Sequence, residues 1–212
     1  MSFIKVLDHP VISDKVRQLR SVTTSNADFL RLANEITRFV GYEAFRDLPV
    51  TSTVVTTPVV QSAPALALDE EYVVVPILRA GLGMTPAVEE LLPVHRLCLM
   101  GLRRNEETLQ PEIYHDGLPT DLKGVPMVIV DPMLATGGSI SAVVEVARAR
   151  GVGAIKILCL IAAQPGVDAL FAKHQGLEVY AAALDPELNE VGYITPGLGD
   201  AGDRLFGAPV RN

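Results

Sequence analysis

Short, near-continuous apolar runs recur through most of this chain, at residues 72–77, 97–102, 125–130, 155–162 and 177–183, with helix-forming stretches between them. That rhythm constrains the fold more than any other feature. A strand that is apolar at every position, not at alternate ones, has to be covered on both faces. Strands separated by helical crossovers pair in parallel. The expected fold class is therefore α/β, a central and mostly parallel sheet flanked by helices. Thr85 and Pro86 open one helix, proline being favoured at a first helical position. Ser139 starts another, with Ile140, Val143, Val144 and Ala147 on one face and Gly151 closing it.

The rest of the chain reads differently. The first 48 residues look helical. Ser25 is placed to cap a helix in which Phe29, Leu32, Ala33, Ile36, Phe39 and Val40 recur at helical spacing. Residues 50–60, rich in Thr and Val, suit a strand. Residues 103–123 interrupt the apolar rhythm: they are polar, carry Pro111 and Pro119, and hold a turn signal at Asp116-Gly117. A hairpin arm is expected there. A chain of 212 residues, 49% hydrophobic and 20% charged, can bury a large core and is not expected to be disordered. The net charge of −7 argues against a nucleic-acid surface. Cys98 and Cys159 sit inside apolar runs without metal-ligand spacing and read as buried thiols, which suits a reducing compartment. No apolar stretch reaches about 18 residues, so no membrane span is expected, and the first residues lack the apolar run of a secretion signal. The expectation is a cytoplasmic protein with no membrane or nucleic-acid partner.

The most informative stretch is VPMVIVDPMLATGGSISAVV, residues 125–144. A strand ends at Asp131, a loop follows, and a helix begins. Consecutive N–H groups of Ala135 to Ser139 then meet at a helix N-terminus, where partial positive charge and the hydroxyls of Thr136 and Ser139 suit a phosphate dianion. Gly137 and Gly138 leave the approach open. The spacing and lysine of a nucleoside-triphosphate loop are missing. Asp131, at the carboxyl end of a strand, is placed to hold ribose hydroxyls.

Near the end stands GYITPGLGDAG, residues 192–202. Its GLGDAG matches the glycine pattern of dinucleotide-binding folds, but Pro196 precedes it where a strand should end, and too few residues follow for a helix and second strand. A loop whose backbone approaches a flat heterocycle explains the glycines, as does a turn-rich tail.

VIVDPMLATGGS resembles the phosphoribosyl-diphosphate motif of type I phosphoribosyltransferases, and in its DPMLATGG form the uracil phosphoribosyltransferase branch. The segments PILRAGLGM (76–84), RRNEETLQP (103–111) and GYITPGLGDAGDRLFG (192–207) agree in the same order. The motif usually carries two adjacent acidic residues; here the second is Pro132. The resemblance implies one domain, 1–212, with N-terminal helices over about 10–48, an arm over about 103–123 and a base-binding segment over about 184–212. It implies a pentosyltransferase that moves the phosphoribosyl group of phosphoribosyl diphosphate to N1 of uracil. Asp131, Pro132, Met133, Leu134, Ala135, Thr136, Gly137, Gly138 and Ser139 would hold the ribose 5-phosphate. Arg79 and Arg104 would hold the diphosphate, with Arg103 of unassigned role. A strained or cis peptide is implied within Arg79-Ala80-Gly81. Backbone groups of Ile194, Gly199 and Ala201 would read the pyrimidine edge, with Tyr193 packing nearby. Asp200 would meet the ribose or diphosphate end of the donor, or orient N1. Asp131, Asp200 and Arg104 are thus the expected catalytic residues. Mg²⁺ would ride with the donor and not in a protein cage. GTP as an effector, and a homodimer or higher even assembly, are also implied. None of the four histidines is assigned a role. Three other readings stay open: the same fold acting on another base, a regulatory RNA-binding protein of that fold, and a nucleotide-binding module without chemistry.

Overall fold

The computed structural model describes residues 1–92, 95–104 and 111–207, with Arg104 through its backbone only. The chain opens with a short strand, β1 (Phe3–Val6), and two helices, α1 (Pro10–Arg20) and α2 (Asn26–Ala44). Ser25 caps α2 as expected, its hydroxyl accepting the Asp28 N–H at 3.1 Å. Strands β2 (Val50–Val55) and β3 (Ala63–Leu68) follow, then β4 (Tyr72–Leu78), a 3-10 turn over Ala80–Gly83 and α3 (Thr85–Leu91). Next come β5 (His95–Leu97), β6 (Met100–Arg104), β7 (Pro111–Asp116), β8 (Met127–Val130) and β9 (Met133–Leu134). The chain then alternates α4 (Gly138–Ala149), β10 (Ile155–Ala163), α5 (Gln164–Lys173) and β11 (Leu177–Asp185). It ends in β12 (Glu187–Leu188), β13 (Ile194–Thr195) and α6 (Ala201–Phe206).

Among the described residues the main sheet has nine strands, in the order β1-β11-β10-β8-β4-β6-β7, with β5 also against β4 and β9 against β10. Every pairing in it is parallel except β6 with β7. Four of the five apolar runs are interior strands, β4, β8, β10 and β11, with β8 and β10 buried along their whole length; the run at 97–102 is instead divided between β5 and β6 at Cys98 and Leu99. Covering both faces takes two cores, and side chains alternate between them. Val73, Val75 and Ile77 of β4 join Ile129, Ile157 and the α4 residues Ile140, Val143 and Val144. Tyr72 and Val74 join Val128, Leu158 and the α2 residues Phe29, Leu32 and Ile36 on the other face. Cys98 and Cys159 are buried and free.

Three parts depart from the sequence reading. The N-terminal region is not purely helical: β1 pairs with β11 from Phe3↔Glu178 to Val6↔Ala181, closing one edge of the sheet. Phe39 leaves the buried face of α2 and is 38% exposed. Residues 50–60 are not one strand but the first limb and turn of a second hairpin, in which β2 and β3 pair with each other and with no other strand among the described residues. The arm is the antiparallel pair β6–β7, which starts before 103 and ends well before 123, and the Asp116-Gly117 turn signal follows its second strand instead of joining the two.

After β4 the chain moves to β5 and β6 on one side, and after β8 it crosses to β10 on the other. The loops leaving β4 and β8 therefore part from each other, and the crevice between them lies at the carboxyl ends of adjacent parallel strands. Open α/β sheets bind ligands at such a switch point.

Candidate active site

The switch-point crevice is a cleft of about 290 Å³, lined by Ala80 from the β4 side, Asp131, Met133 and Ala135 from the β8 side, and residues 191–194 and 199–202 from the C-terminal segment. A second hollow of about 70 Å³ adjoins it, bounded by Asp131 and Met133 to Ile140. Asp131, Met133 and Ala135 border both, so the small hollow opens onto the large one.

The small hollow is built by the loop between β8 and α4. Its first half is pinned to the sheet: the carbonyl of Pro132 accepts the N–H groups of Leu160 and Ile161, each at 3.1 Å, and Met133 and Leu134 pair with Ile161 and Ala162 of β10. The helix starts one residue earlier than expected, at Gly138. Its cap is Gly137, held at φ 78°, and not a serine side chain. A residue with a side chain resists that left-handed backbone. The Thr136 hydroxyl reaches only the Gly138 N–H, at a long 3.4 Å. First-turn N–H groups have no partner within their own helix, so this end of α4 presents donors and positive dipole to the hollow. Ser139 lies in that first turn. Pro111 of the arm stands 3.7 Å from where a side chain on Gly138 would begin, which puts the base of the arm beside the cradle.

Asp131 stands where the two hollows meet. Burial pushes its carboxyl up to about 7, and a 3.5 Å hydrogen bond from the Met133 N–H opposes this only weakly. It is partly accessible, through the cleft it lines. Desolvation is the cause, no cation standing beside it among the described residues. Such a carboxyl is poised to accept hydrogen bonds from hydroxyl groups entering the cleft.

Arg79 leaves β4 on the opposite lip. The peptide before it, Leu78-Arg79, is cis, one bond earlier than expected from the resemblance. Its guanidinium is 54% exposed and forms a long ion pair, at 3.7 Å, with Asp203 of α6. Arg103 is spent across the arm, bonding Glu112 at 3.0 and 3.1 Å. The Arg104 side chain lies outside the described residues; its backbone pairs with Pro111 in the arm.

The C-terminal segment forms the remaining wall. Ile194 is buried in β13, and the Thr195-Pro196 peptide is cis. Gly199 and Ala201 line the cleft with Ile194, while Tyr193 at its rim is 46% exposed. The Asp200 carboxylate also lines it and already has one task, capping α6 by accepting the Asp203 N–H at 2.8 Å. The structure thus brings together Asp131, Met133 to Ser139, Ile194 and 199–201, with Ala80 next to Arg79 in the same lining; Pro132, expected among them, is buried and lines neither hollow, its carbonyl being turned to β10. The sequence reading assigned no site role to Ala80, Ile140, Val191, Gly192 or Gly202, which also line the two hollows. Ala80 adjoins the assigned Arg79; nothing in the local pattern singles out Val191.

An amide-lined hollow, two carboxyls and a glycine loop around one switch point match what the resemblance to type I phosphoribosyltransferases implies. A hypoxanthine phosphoribosyltransferase from Trypanosoma cruzi, complexed with its product IMP, superposes with a TM-score of 0.51 over 75% of each chain at 13% identity, a likeness of fold alone. The more specific match follows from the whole chain. The uracil phosphoribosyltransferase family model matches residues 6–208, and the chain belongs to that family. A uracil phosphoribosyltransferase of Ligilactobacillus salivarius is 45% identical over 207 residues, 98% of this chain and 99% of its own. The AQ2163 protein from Aquifex aeolicus has a solved structure that superposes with a TM-score of 0.90 at 37% identity, covering 99% of this chain and all of its own.

Proposed function

We propose that this protein transfers the phosphoribosyl group of 5-phosphoribosyl 1-diphosphate to N1 of uracil, releasing UMP and diphosphate, a pyrimidine-salvage reaction. The observation that carries the reading is the joined pair of hollows: a small amide-lined one that fits a 5-phosphate, opening onto a cleft walled by glycine-rich backbone that fits a base. With the phosphate at Ala135 to Ser139, Asp131 receives the ribose hydroxyls. Backbone groups of Ile194, Gly199 and Ala201 face the base. Fixed backbone donors and acceptors favour uracil over cytosine, whose amino group and N3 reverse one donor and one acceptor; each buried mismatch costs about 1–3 kcal/mol.

N1 then bonds to C1′ as the C1′–oxygen bond breaks; the electron pair leaves with diphosphate through an oxocarbenium-like state, and the N1 proton passes to water or to the departing diphosphate. Positioning, and charge on the leaving group met by Arg79 and Arg104, supply the acceleration. The cleft carries Asp131 and Asp200 as its carboxylates, which fits a Mg²⁺ that draws most of its ligands from donor and water oxygens; when bound, the ion neutralises diphosphate charge. Incubation with uracil, phosphoribosyl diphosphate and Mg²⁺ should yield UMP, and cytosine in place of uracil should yield no nucleotide. No UMP overturns the reading.

The reading extends to a homo-oligomer, supported by the β2–β3 hairpin. Val50 and Val54 lie opposite Leu68 and Pro64 on one face, and Val54 and Leu66 are 68% and 69% exposed. A cytoplasmic location is likewise proposed; no described helix is long and apolar enough to cross a membrane. Control by GTP rests on the resemblance, and the UMP assay with and without GTP decides it.

A further inference from the structure

The wall that faces the base has to keep Ile194 and Gly199 at a fixed separation, and the turn between them is gripped from behind. Gly197 is buried at its centre. A buried backbone N–H and C=O both need partners, and here side chains supply them. The Asp185 carboxylate accepts the Gly197 N–H at 2.9 Å. The Arg20 guanidinium donates to the Gly197 carbonyl at 2.7 Å. The same guanidinium closes a two-pronged pair with Asp185, at 2.7 and 2.6 Å. Asp185 is 6% exposed and Arg20 22%. The turn leaves no slack, since a side chain on Gly197 would begin 2.1 Å from the Ile194 carbonyl oxygen. One residue further on, the Leu198 carbonyl accepts from Arg204 at 2.9 Å. Arg204 in turn donates to the Ser21 carbonyl at 2.6 Å, beside Arg20 at the end of α1. Neither Arg20 nor Asp185 belongs to the lining of the cleft.

We propose that Arg20 and Asp185 form a positioning pair for the acceptor base: they hold both polar backbone groups of Gly197, and through it set the spacing of Ile194 and Gly199, without touching substrate. The inference rests on the proposed transfer to uracil and adds residues to it from the far ends of α1 and β11. The pair is compact and directional because a guanidinium fork matches a carboxylate and still has a donor for a carbonyl. Losing the arginine leaves Asp185 buried beside a carbonyl with no donor. The donor cradle at Ala135 to Ser139 is anchored separately, through Pro132 and β10. The pair therefore acts on one substrate and not the other.

The test varies uracil and phosphoribosyl diphosphate independently in wild type, Arg20→Ala and Arg20→Lys, with thermal melting of each chain. A lost charge-assisted hydrogen bond leads us to expect the uracil KM of Arg20→Ala to rise about tenfold or more, with the donor KM within about twofold of wild type. Arg20→Lys, which keeps the charge but not the fork, should recover part of this and stay about threefold above wild type. A folded Arg20→Ala with an unchanged uracil KM, or with both KM values raised alike, overturns the positioning role. If Arg20→Ala does not fold, Arg20→Lys decides by the same two criteria. A wild-type chain that makes no UMP removes the proposed function and this role with it; a wild type that makes UMP beside variants of unaltered uracil KM removes this role alone.

Discussion

Asp131 carries opposed demands. Its carboxyl is raised from 3.8 to about 7 by burial, so the native chain binds that proton more tightly than the unfolded one. By linkage, this residue makes the fold less stable as pH rises from about 4 to about 7, with the full penalty above that window and none below it. Asp131→Asn keeps the shape and removes the charge. Allowing for water in the cleft, we expect it to raise stability at pH 8 by about 1–2 kcal/mol, and the gain to vanish near pH 4. Melting of both chains across that range checks the sign. The same substitution should lower kcat/KM for phosphoribosyl diphosphate by about tenfold to a hundredfold, from the charge-assisted bonds it removes. Stability lost and function kept at one carboxyl is a familiar trade at ligand sites.

Among the elements, α5 backs the loop proposed to hold the donor, which its place outside the cleft conceals. A side chain on Gly166, near its start, would begin 1.9 Å from the Ala135 carbonyl oxygen and 2.9 Å from Leu134, and the Gly166 carbonyl stands 2.8 Å from the corresponding point on Gly137. Helix and phosphate loop touch backbone to backbone. Gly166→Ala has to push the loop away, costing about 1–3 kcal/mol of stability. A displacement of about 1 Å at the cradle should raise the donor KM about tenfold or more. The uracil KM should change little, the mirror image of the Arg20 variants. Steady-state kinetics on Gly166→Ala checks this, and an unchanged donor KM would refute the packing argument. The arm is tied to the other end of the phosphate helix: Arg150, just past α4, bonds Asp116 with both its terminal nitrogens and the Leu118 carbonyl at 2.8 Å.

On the scale of the whole molecule, the β2–β3 hairpin is the part with least reason to stand alone. An isolated two-stranded ribbon is marginal in water, and this one leaves Val50, Val54, Leu66 and Leu68 between 43% and 69% exposed on one face. A contiguous apolar face of that kind marks an association surface. Light scattering should give a mass of at least two chains for the wild type. Val54→Asp with Leu66→Asp should reduce it to one, with the described core intact by circular dichroism. A wild-type mass of one chain refutes the expectation.

How much of this could be read without coordinates depended on the range of the interactions. The interior strands were legible because burial on both faces forces apolar residues into successive positions. The cradle after Asp131 was legible because a strand end, glycines and a helix start lie within a few residues of each other. The Ser25 cap and the Gly151 stop are equally local. What escaped was β1, four residues too short to carry a period, and β3 with its pairing to β2, of which only the first limb was read, as part of a strand over 50–60. Arg20 and Asp185 escaped for the plainest reason: they meet across 165 residues, and in sequence each is an ordinary charge at the end of an element. Local pattern determined the class of sheet and the glycine turn after Asp131, because those follow from burial and backbone geometry over a few residues. Only the tertiary structure decided which distant side chains hold the turn against the base and which helix backs the cradle, because contacts between residues far apart in the chain leave no periodic mark on it.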